Sequence, residues 1–194
     1  MYYEGKDIIA KMKEARGFKS VPQDYHIVGV RSHDDEPNKF DDSLSLFYGE
    51  KLILTTSGTT NPGTTVLKGG FLKYNKDGAA VVESNRVYYN VWKYGLHAGK
   101  IPALKQLGNA ITIWRDGDRD GKSEEIGKRT TGYYGINFHC DQYDINGPDK
   151  AGENINGWSA GCMVCNNIED YRKIIELCKK QKNVTFTLLN EFPV

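Results

Sequence analysis

The sequence predicts an α+β fold that is rich in β structure, either a sandwich or a partly closed barrel, with a short N-terminal helix and a C-terminal helix. Three observations indicate this class. Short β-like runs separated by Gly, Asn, Asp and Pro fill the chain from Tyr25 onwards. Apolar residues recur at helical spacing near each end. With 194 residues, 39% of them hydrophobic, the chain is long enough to bury one core.

The elements follow in chain order. Residues 7–15 form the first predicted helix, because their apolar residues have helical spacing and Gly17 lies just past the end. β-branched and aromatic runs then predict strands at residues 25–30, 44–48, 52–55, 87–91, 111–114 and 133–138. A C-terminal helix begins after Asn166 or Asn167, either of which can cap it. Residues 184–189 alternate as a last strand.

Composition excludes several classes of protein. Lys plus Arg is 26 and Asp plus Glu is 25, so a net charge of +1 gives no general attraction to nucleic acid or to anionic membranes. The longest apolar runs are far shorter than the ~20 residues of a membrane span. The N-terminus lacks the basic start and apolar stretch of a secretory signal, so we expect synthesis in the cytoplasm.

The four cysteines are Cys140, Cys162, Cys165 and Cys178, all in the last third of the chain. A chain of this length does not need disulfides to hold a fold, so free thiols are expected.

The segment around His139 and Cys162 carries the most distinctive chemistry. His139 follows a predicted strand at residues 134–138, and a long polar loop leads from it to Ser159-Ala160-Gly161-Cys162. Glycine allows a tight turn before the cysteine, and backbone N–H groups in such a turn can hold an oxyanion, at roughly 2.7–4 kcal/mol per donor. His139 is the histidine nearest to Cys162 in the sequence, and it can take the thiol proton and pass it to a leaving amine. A histidine and a cysteine that merely fill the core remain the alternative at this point.

This arrangement resembles the L,D-transpeptidase catalytic domain, also called the YkuD-like family, in which a strand ends in histidine and a Ser/Thr-His-Gly-Cys motif follows. The segments at residues 40–42, 58–63, 94–100 and 114–116 resemble a stand-alone branch of that family found in phages and bacteria. The resemblance covers residue 27 to the C-terminus. We therefore divide the chain into an N-terminal helical segment, residues 1–25, and an L,D-transpeptidase-like catalytic domain, residues 26–194.

The resemblance implies a peptidoglycan stem peptide as substrate, attacked by Cys162 at the bond between an L-centred diamino acid and a D-residue. His139 would be the base, Gly161 and Cys162 would give backbone donors to the oxyanion, and Ser159 would shape the turn. The resulting thioester would pass to an amine, which gives a cross-link, or to water, which gives cleavage. Action at the bacterial wall or periplasm is expected, with no cofactor and no metal.

Further residues are expected to contact the substrate: His97, Trp158 and Asn137. Two departures from the family pattern concern the surroundings of the cysteine. Ala160 replaces the usual histidine and Val164 the usual arginine, and both changes alter the walls that would position donor and acceptor. Hydrolysis, as an L,D-carboxypeptidase or endopeptidase, is therefore at least as well supported as cross-linking.

Two alternatives to this function stay open. His139-Cys140-Asp141 together with residues 162–165 has partial similarity to zinc deaminases, but Asp141 replaces their Glu and Gly161 replaces their Pro. The other alternative is an inactive relative that binds wall peptides. A separate run, Asp116-Gly117-Asp118-Arg119-Asp120-Gly121, places carboxylates as calcium loops do, but Gly127 stands where the closing Glu is expected, which favours a polar hairpin turn.

Overall fold

The computed structural model describes residues 3–33, 36–71, 76–150 and 152–193, and it confirms the α+β class. The strands in these residues are β1 (Tyr25–Arg31), β2 (Asp42–Tyr48), β3 (Lys51–Thr59), β4 (Ala79–Val82), β5 (Arg86–His97), β6 (Ile101–Gln106), β7 (Ile111–Asp116), β8 (Lys128–Gly132), β9 (Phe138–Cys140), β10 (Met163–Cys165) and β11 (Val184–Asn190). The helices are α1 (Gly5–Glu14), α2 (Thr64–Leu67) and α3 (Ile168–Cys178).

Eight of the strands close a barrel in the order β1-β11-β5-β6-β9-β10-β3-β2, and β4-β7-β8 form a separate three-stranded sheet. The structure thus has a closed barrel, where the sequence predicts either a sandwich or a partly closed barrel. Two neighbouring pairs in it are parallel, β1 with β11 and β9 with β10. In the second pair Val164 lies opposite His139 and Met163 opposite Phe138. This register brings the residue before β10, Cys162, beside the residue before β9, Asn137.

The two longer helices pack their apolar faces onto the barrel. Ile8, Ile9 and Met12 of α1 are buried in a cluster that includes Val28 and Phe47 of the barrel. In α3, Asn167 is the N-cap, and its side chain accepts hydrogen bonds from the N–H groups of residues 169 and 170, as predicted. Within the described residues, none of the helices is long and apolar enough to cross a membrane.

An aromatic core supports the part of the barrel that carries His139. The Trp92 ring is fully buried, and it stacks on Phe186 with ring centroids 4.7 Å apart. It also lies 6.0 Å from the ring of Phe138, the first residue of β9. The indole N–H of Trp92 donates to the carbonyl of Ile136 at 2.8 Å. The chain leading into β9 is thus fixed by the core.

The predicted strand at residues 133–138 is wrong. Residues 133–137 are irregular, Gly135 has a φ of 72°, and β9 begins only at Phe138. The N–H groups of Tyr134 and Ile136 donate to the side-chain oxygen of Gln106, at 2.9 and 3.1 Å, instead of to a neighbouring strand. The side chain of Gln106 therefore replaces the backbone hydrogen bonds of a neighbouring strand here. His139 lies within a strand rather than just after one. The sequence also gave no prediction for β4, β6, β8 and β10.

Candidate active site

His139 is held on the opposite face of β9 from the barrel core. Successive side chains in a strand point to opposite faces, and Phe138 and Cys140 both belong to the core cluster. The His139 side chain is nonetheless fully buried. Its Nδ1 lies 2.8 Å from the carbonyl oxygen of Cys140, whereas its Nε2 is buried with no hydrogen-bond partner among the described residues.

The surroundings of His139 keep it neutral. Burial lowers the pKa of His139 to about 3, with a further contribution from His97, and the hydrogen bond to Cys140 offsets only part of this. Since a carbonyl oxygen only accepts, Nδ1 carries the proton of the neutral ring. Nε2 therefore presents a lone pair in the interior, as a general base requires.

Cys162 lies beside this base with its thiol protonated. The Sγ accepts from the N–H of Asn137 at 3.4 Å and donates to the carbonyl of Gly135 at 3.5 Å. Burial raises the pKa of Cys162 to about 11, and the Asn137 N–H lowers it only in part. All four cysteines are free thiols, as predicted, and all four are buried. Only Cys162 keeps some exposure, 8% against 0% for the other three.

The turn before Cys162 is closed by Ser159. Its fully buried hydroxyl accepts from the N–H of Gly161 at 3.1 Å and donates to the carbonyl of Cys162 at 2.8 Å. Gly161 has a φ of 124°, and a Cβ there would lie 2.3 Å from the carbonyl oxygen of Ala80. The prediction that Gly161 donates to an oxyanion meets a difficulty, because its N–H is already bonded to Ser159.

Two of the residues expected to contact substrate lie in the same place. His97 is the last residue of β5, and its ring stacks on that of His139, with centroids 4.0 Å apart and planes 21° from parallel. Asn137 donates from Nδ2 to Nδ1 of His97 at 3.0 Å. One ring nitrogen of His97, one of His139 and the Sγ of Cys162 all lie within 4.8 Å of one another.

The third expected substrate residue has a different environment. Trp158 is half-buried against the core, and its ring lies 5.1 Å from that of Tyr143, which is exposed. Whether Trp158 contacts a substrate remains a prediction.

Gln106 holds the segment before His139, a role that the sequence analysis does not predict. Besides accepting from residues 134 and 136, its amide donates to the carbonyl of Gly132 at 2.9 Å. Its backbone N–H donates to Oδ1 of Asn137 at 2.9 Å. A buried glutamine at the end of an apolar strand was the available signal, and it could be read only once β6 was known.

The metal-ligating groups differ from those of the deaminase pattern. Among the described residues, the His97, His139 and Cys162 group does not include Cys165, whose thiol donates to the carbonyl of Asn167 at 3.3 Å. Imidazole and thiolate suit zinc, but a metal-binding histidine normally donates its other N–H outward. His139 fits this rule, whereas Nδ1 of His97 accepts from Asn137 instead, so the donor set fits zinc poorly.

The proposed calcium run is part of the connection between β7 and β8, which pair as an antiparallel hairpin. Three exposed carboxylates approach within 4.8 Å there: Asp118 and Asp120 of the set considered from the sequence, with Glu124 in place of Asp116. Asp116 instead accepts from the N–H of Glu124 at 2.9 Å. Asp116 therefore acts as a tie within the polar hairpin that the sequence favoured.

Comparison with known proteins adds little to this geometry. No family model matches the chain, and no curated protein matches it. A solved structure, titled as the helical cell shape determining protein Pgp2 from Campylobacter jejuni, is similar with a TM-score of 0.40 and 10% sequence identity. The match covers 98% of this chain and 57% of that one, so this chain spans little more than half the neighbour's length. A likeness this weak carries no weight in assigning a function.

Proposed function

We propose that this chain is a cysteine-dependent enzyme that processes the stem peptides of peptidoglycan, with Cys162 as nucleophile and His139 as base. One observation carries the proposal. His139 donates its single N–H to the carbonyl of Cys140 and keeps a buried, unpartnered Nε2, and one of its ring nitrogens lies within 4.8 Å of the Cys162 Sγ. An unpaired buried acceptor costs folding free energy, which is expected where a group is kept free for chemistry.

The reaction begins from a neutral pair. At pH 7 the proton stays on sulfur, because the pKa of Cys162 is about 11 and that of His139 is about 3. The Sγ therefore loses its proton to Nε2 of His139 as it attacks the peptide carbonyl, so that His139 acts as a general base. Apo geometries of such pairs are often loose and tighten when substrate binds.

The covalent steps balance without a cofactor. Attack forms the C–S bond and moves the carbonyl π electrons to oxygen, giving a tetrahedral oxyanion. Its collapse breaks the C–N bond, the departing amine takes the proton from His139, and a thioester remains. In hydrolysis, Nε2 takes a proton from water as the water oxygen attacks the thioester carbon, giving a second tetrahedral oxyanion. Its collapse breaks the C–S bond and releases the carboxylic acid, and the proton returns from Nε2 to the sulfur of Cys162.

The resemblance in sequence supports the choice of substrate, a stem peptide cut at an L,D bond. The replacements near the nucleophile favour water over an amine acceptor. Residues 160 and 164 carry the small apolar side chains of alanine and valine, and Val164 is fully buried opposite His139. Neither side chain offers a charge that would orient an incoming acceptor strand.

The test is mass spectrometry of purified muropeptides with tetrapeptide and pentapeptide stems, incubated with the full chain with and without an added D-amino acid. An L,D-carboxypeptidase removes the residue after the diamino acid with gain of water, whereas a transpeptidase exchanges or cross-links it. Endopeptidase action cuts an existing cross-link. No product from any stem, with or without the acceptor, would contradict the proposal.

The zinc-dependent hydrolase is the second candidate, and the His97, His139 and Cys162 group is the observation that favours it. Metal analysis of the purified chain separates the two. Stoichiometric zinc, together with loss of hydrolysis on chelation, would support the zinc enzyme. Full activity in chelator supports the cysteine mechanism.

A further inference from the structure

Two stacked histidines at one cysteine are more than a single general base requires. His139 is fully buried, whereas His97 is only half-buried and covers it from the end of β5. The turn after His97 uses Ala98 and Gly99, both with positive φ, and Ile101 pairs with His97 across it. A tight hairpin end therefore fixes the position of the His97 ring.

The hydrogen bonds around Asn137 determine where His97 carries its proton. The backbone N–H of Gln106 can only donate, so the Asn137 amide must direct its oxygen towards Gln106 and its NH₂ towards His97. An NH₂ group also only donates, so Nδ1 of His97 is the acceptor and holds a lone pair. Burial and the charge of Lys105 lower the pKa of His97, which keeps the ring neutral at pH 7. The proton of a neutral ring then lies on Nε2.

The two rings are therefore in opposite tautomers. His139 has its proton on Nδ1, bonded to the Cys140 carbonyl, and offers a lone pair. His97 has a lone pair on Nδ1, bonded to Asn137, and offers an N–H. One ring can accept a proton from Cys162 while the other can donate a hydrogen bond.

The turn before Cys162 lacks the donor that His97 can supply. Stabilising a tetrahedral oxyanion takes N–H groups aimed at the developing charge. Gly161, the donor expected from the sequence, already donates to Ser159. A donor from outside the turn is needed to complete the set with the N–H of Cys162.

We propose that His97 is a catalytic residue that donates a hydrogen bond from Nε2–H to the oxyanion formed when Cys162 attacks a carbonyl, with Asn137 fixing its tautomer. This inference rests on the proposed function. The proton of His97 is not transferred, and His139 alone carries the thiol proton to the leaving group. Asn137 is a positioning residue, because it acts through His97.

The tautomer is read without any substrate from two-bond ¹H–¹⁵N spectra of chain labelled with ¹⁵N-histidine. We expect His97 to be protonated on Nε2 and His139 on Nδ1. In Asn137→Asp the carboxylate accepts from both Gln106 and His97, so His97 should move its proton to Nδ1. Asn109→Asp adds the same charge at an exposed turn and should leave both tautomers unchanged. A wild-type His97 protonated on Nδ1 overturns the inference.

The catalytic effect is measured as acetylation of Cys162 by p-nitrophenyl acetate, which forms a tetrahedral oxyanion without needing a stem peptide. His97→Ala should lower the acetylation rate roughly 10²- to 10³-fold, the usual cost of one oxyanion donor. His97→Gln keeps an N–H donor that does not titrate, so it should recover part of the rate and leave it free of any His97 ionisation at low pH. Equal rates for His97→Ala and wild type would overturn the inference. Normal acetylation with no muropeptide product would instead count only against the proposed substrate.

Discussion

Two buried polar clusters in this molecule are built on opposite principles. In the arginine cluster, the carboxylate of Glu83 accepts from Arg16 at 3.1 Å, from Arg86 at 2.7 Å, and from two nitrogens of Arg129 at 2.6 and 3.0 Å. In the cysteine cluster, formed by His97, His139 and Cys162, no charged side chain pairs with the buried groups among the described contacts, and Nε2 of His139 has no partner.

The pKa values show what this difference does. Burial alone would raise the pKa of Glu83, but hydrogen bonds from Arg129 and Arg86 outweigh it and hold that pKa below its usual range. At Cys162 and His139 only one backbone hydrogen bond opposes the effect of burial. Burial therefore raises the pKa of Cys162 and lowers the pKa of His139. A cluster in which the buried charge is fully hydrogen-bonded stabilises that charge and ties elements together. A cluster with an unpartnered polar atom keeps neutral groups ready for proton transfer.

The largest expected effect comes from removing the base. His139→Ala should lower kcat/KM for stem peptides by roughly 10²- to 10⁴-fold, because no other described group lies ready to accept the Cys162 proton. His26→Ala is the matched control: His26 is equally buried, bonds through Nε2 to the carbonyl of Gly49 and also leaves its other nitrogen, Nδ1, unpartnered, but it does not belong to the group around Cys162. Activity per folded molecule should be normal in that control. Equal losses in both variants would mean that the effect is structural.

The next largest expected effect is on stability, at the turn before Cys162. Gly161→Ala should lower the free energy of unfolding by on the order of 3 kcal/mol, because φ is 124° and the new Cβ would meet the carbonyl of Ala80. Gly99→Ala separates conformation from crowding, since φ there is 73° and a Cβ would meet nothing within 4 Å. Its cost should be about 1 kcal/mol. Denaturant unfolding of both variants measures the difference, and similar costs would show that the turn is not crowded.

The neutral thiol predicts an unusual pH dependence. Modification of Cys162 by iodoacetamide should accelerate about tenfold per pH unit from pH 7 to pH 9, because the reactive thiolate is far from saturated below a pKa of about 11. Free cysteine in the same buffers should level off near its pKa of about 8.5. Peptide mapping should place the label on Cys162 before the three fully buried cysteines. A plateau by pH 8 would show an activated thiolate at rest.

The smallest expected effect lies in the arginine cluster. Glu83→Gln should reduce the free energy of unfolding by about 1–2 kcal/mol, since the arginines are partly exposed and screened by solvent. The pKa of Glu83 is depressed by folding, so its contribution is present above the ordinary value of 4.5 and is lost as pH falls through the folded value. Unfolding measured at pH 7 and at low pH should show the wild-type advantage only at pH 7. Changed kcat/KM in Glu83→Gln would link the two clusters, contrary to this account.

Local patterns were enough to predict much of the fold. The first helix, the capped C-terminal helix and the strands at β1, β2, β3, β5, β7 and β11 follow from periodicity, capping and turn residues. Short strands were beyond such patterns, because β9 and β10 have three residues each and owe their conformation to neighbours. The strand predicted at residues 133–138 is wrong over 133–137, since the side chain of Gln106, distant in sequence, accepts from the N–H groups of residues 134 and 136.

In the candidate site, too, local sequence patterns predict some features, whereas others depend on residues distant in sequence. Cys162 and His139 were selected from the sequence because a glycine turn and a nearby histidine are local signals. The tautomers were not accessible in that way, since they depend on Asn137 joining Gln106 to His97. The occupied N–H of Gly161 also appears only once the turn is folded around Ser159.

The central claim is that the cysteine cluster is an active site in which Cys162 is the nucleophile. The most direct test incubates a tetrapeptide stem with wild type, Cys162→Ala and Cys178→Ala, the last removing a cysteine that is fully buried in α3. We predict product from wild type and from Cys178→Ala, and none from Cys162→Ala, with all three chains folded by circular dichroism. Product formation by Cys162→Ala at the wild-type rate would contradict the account.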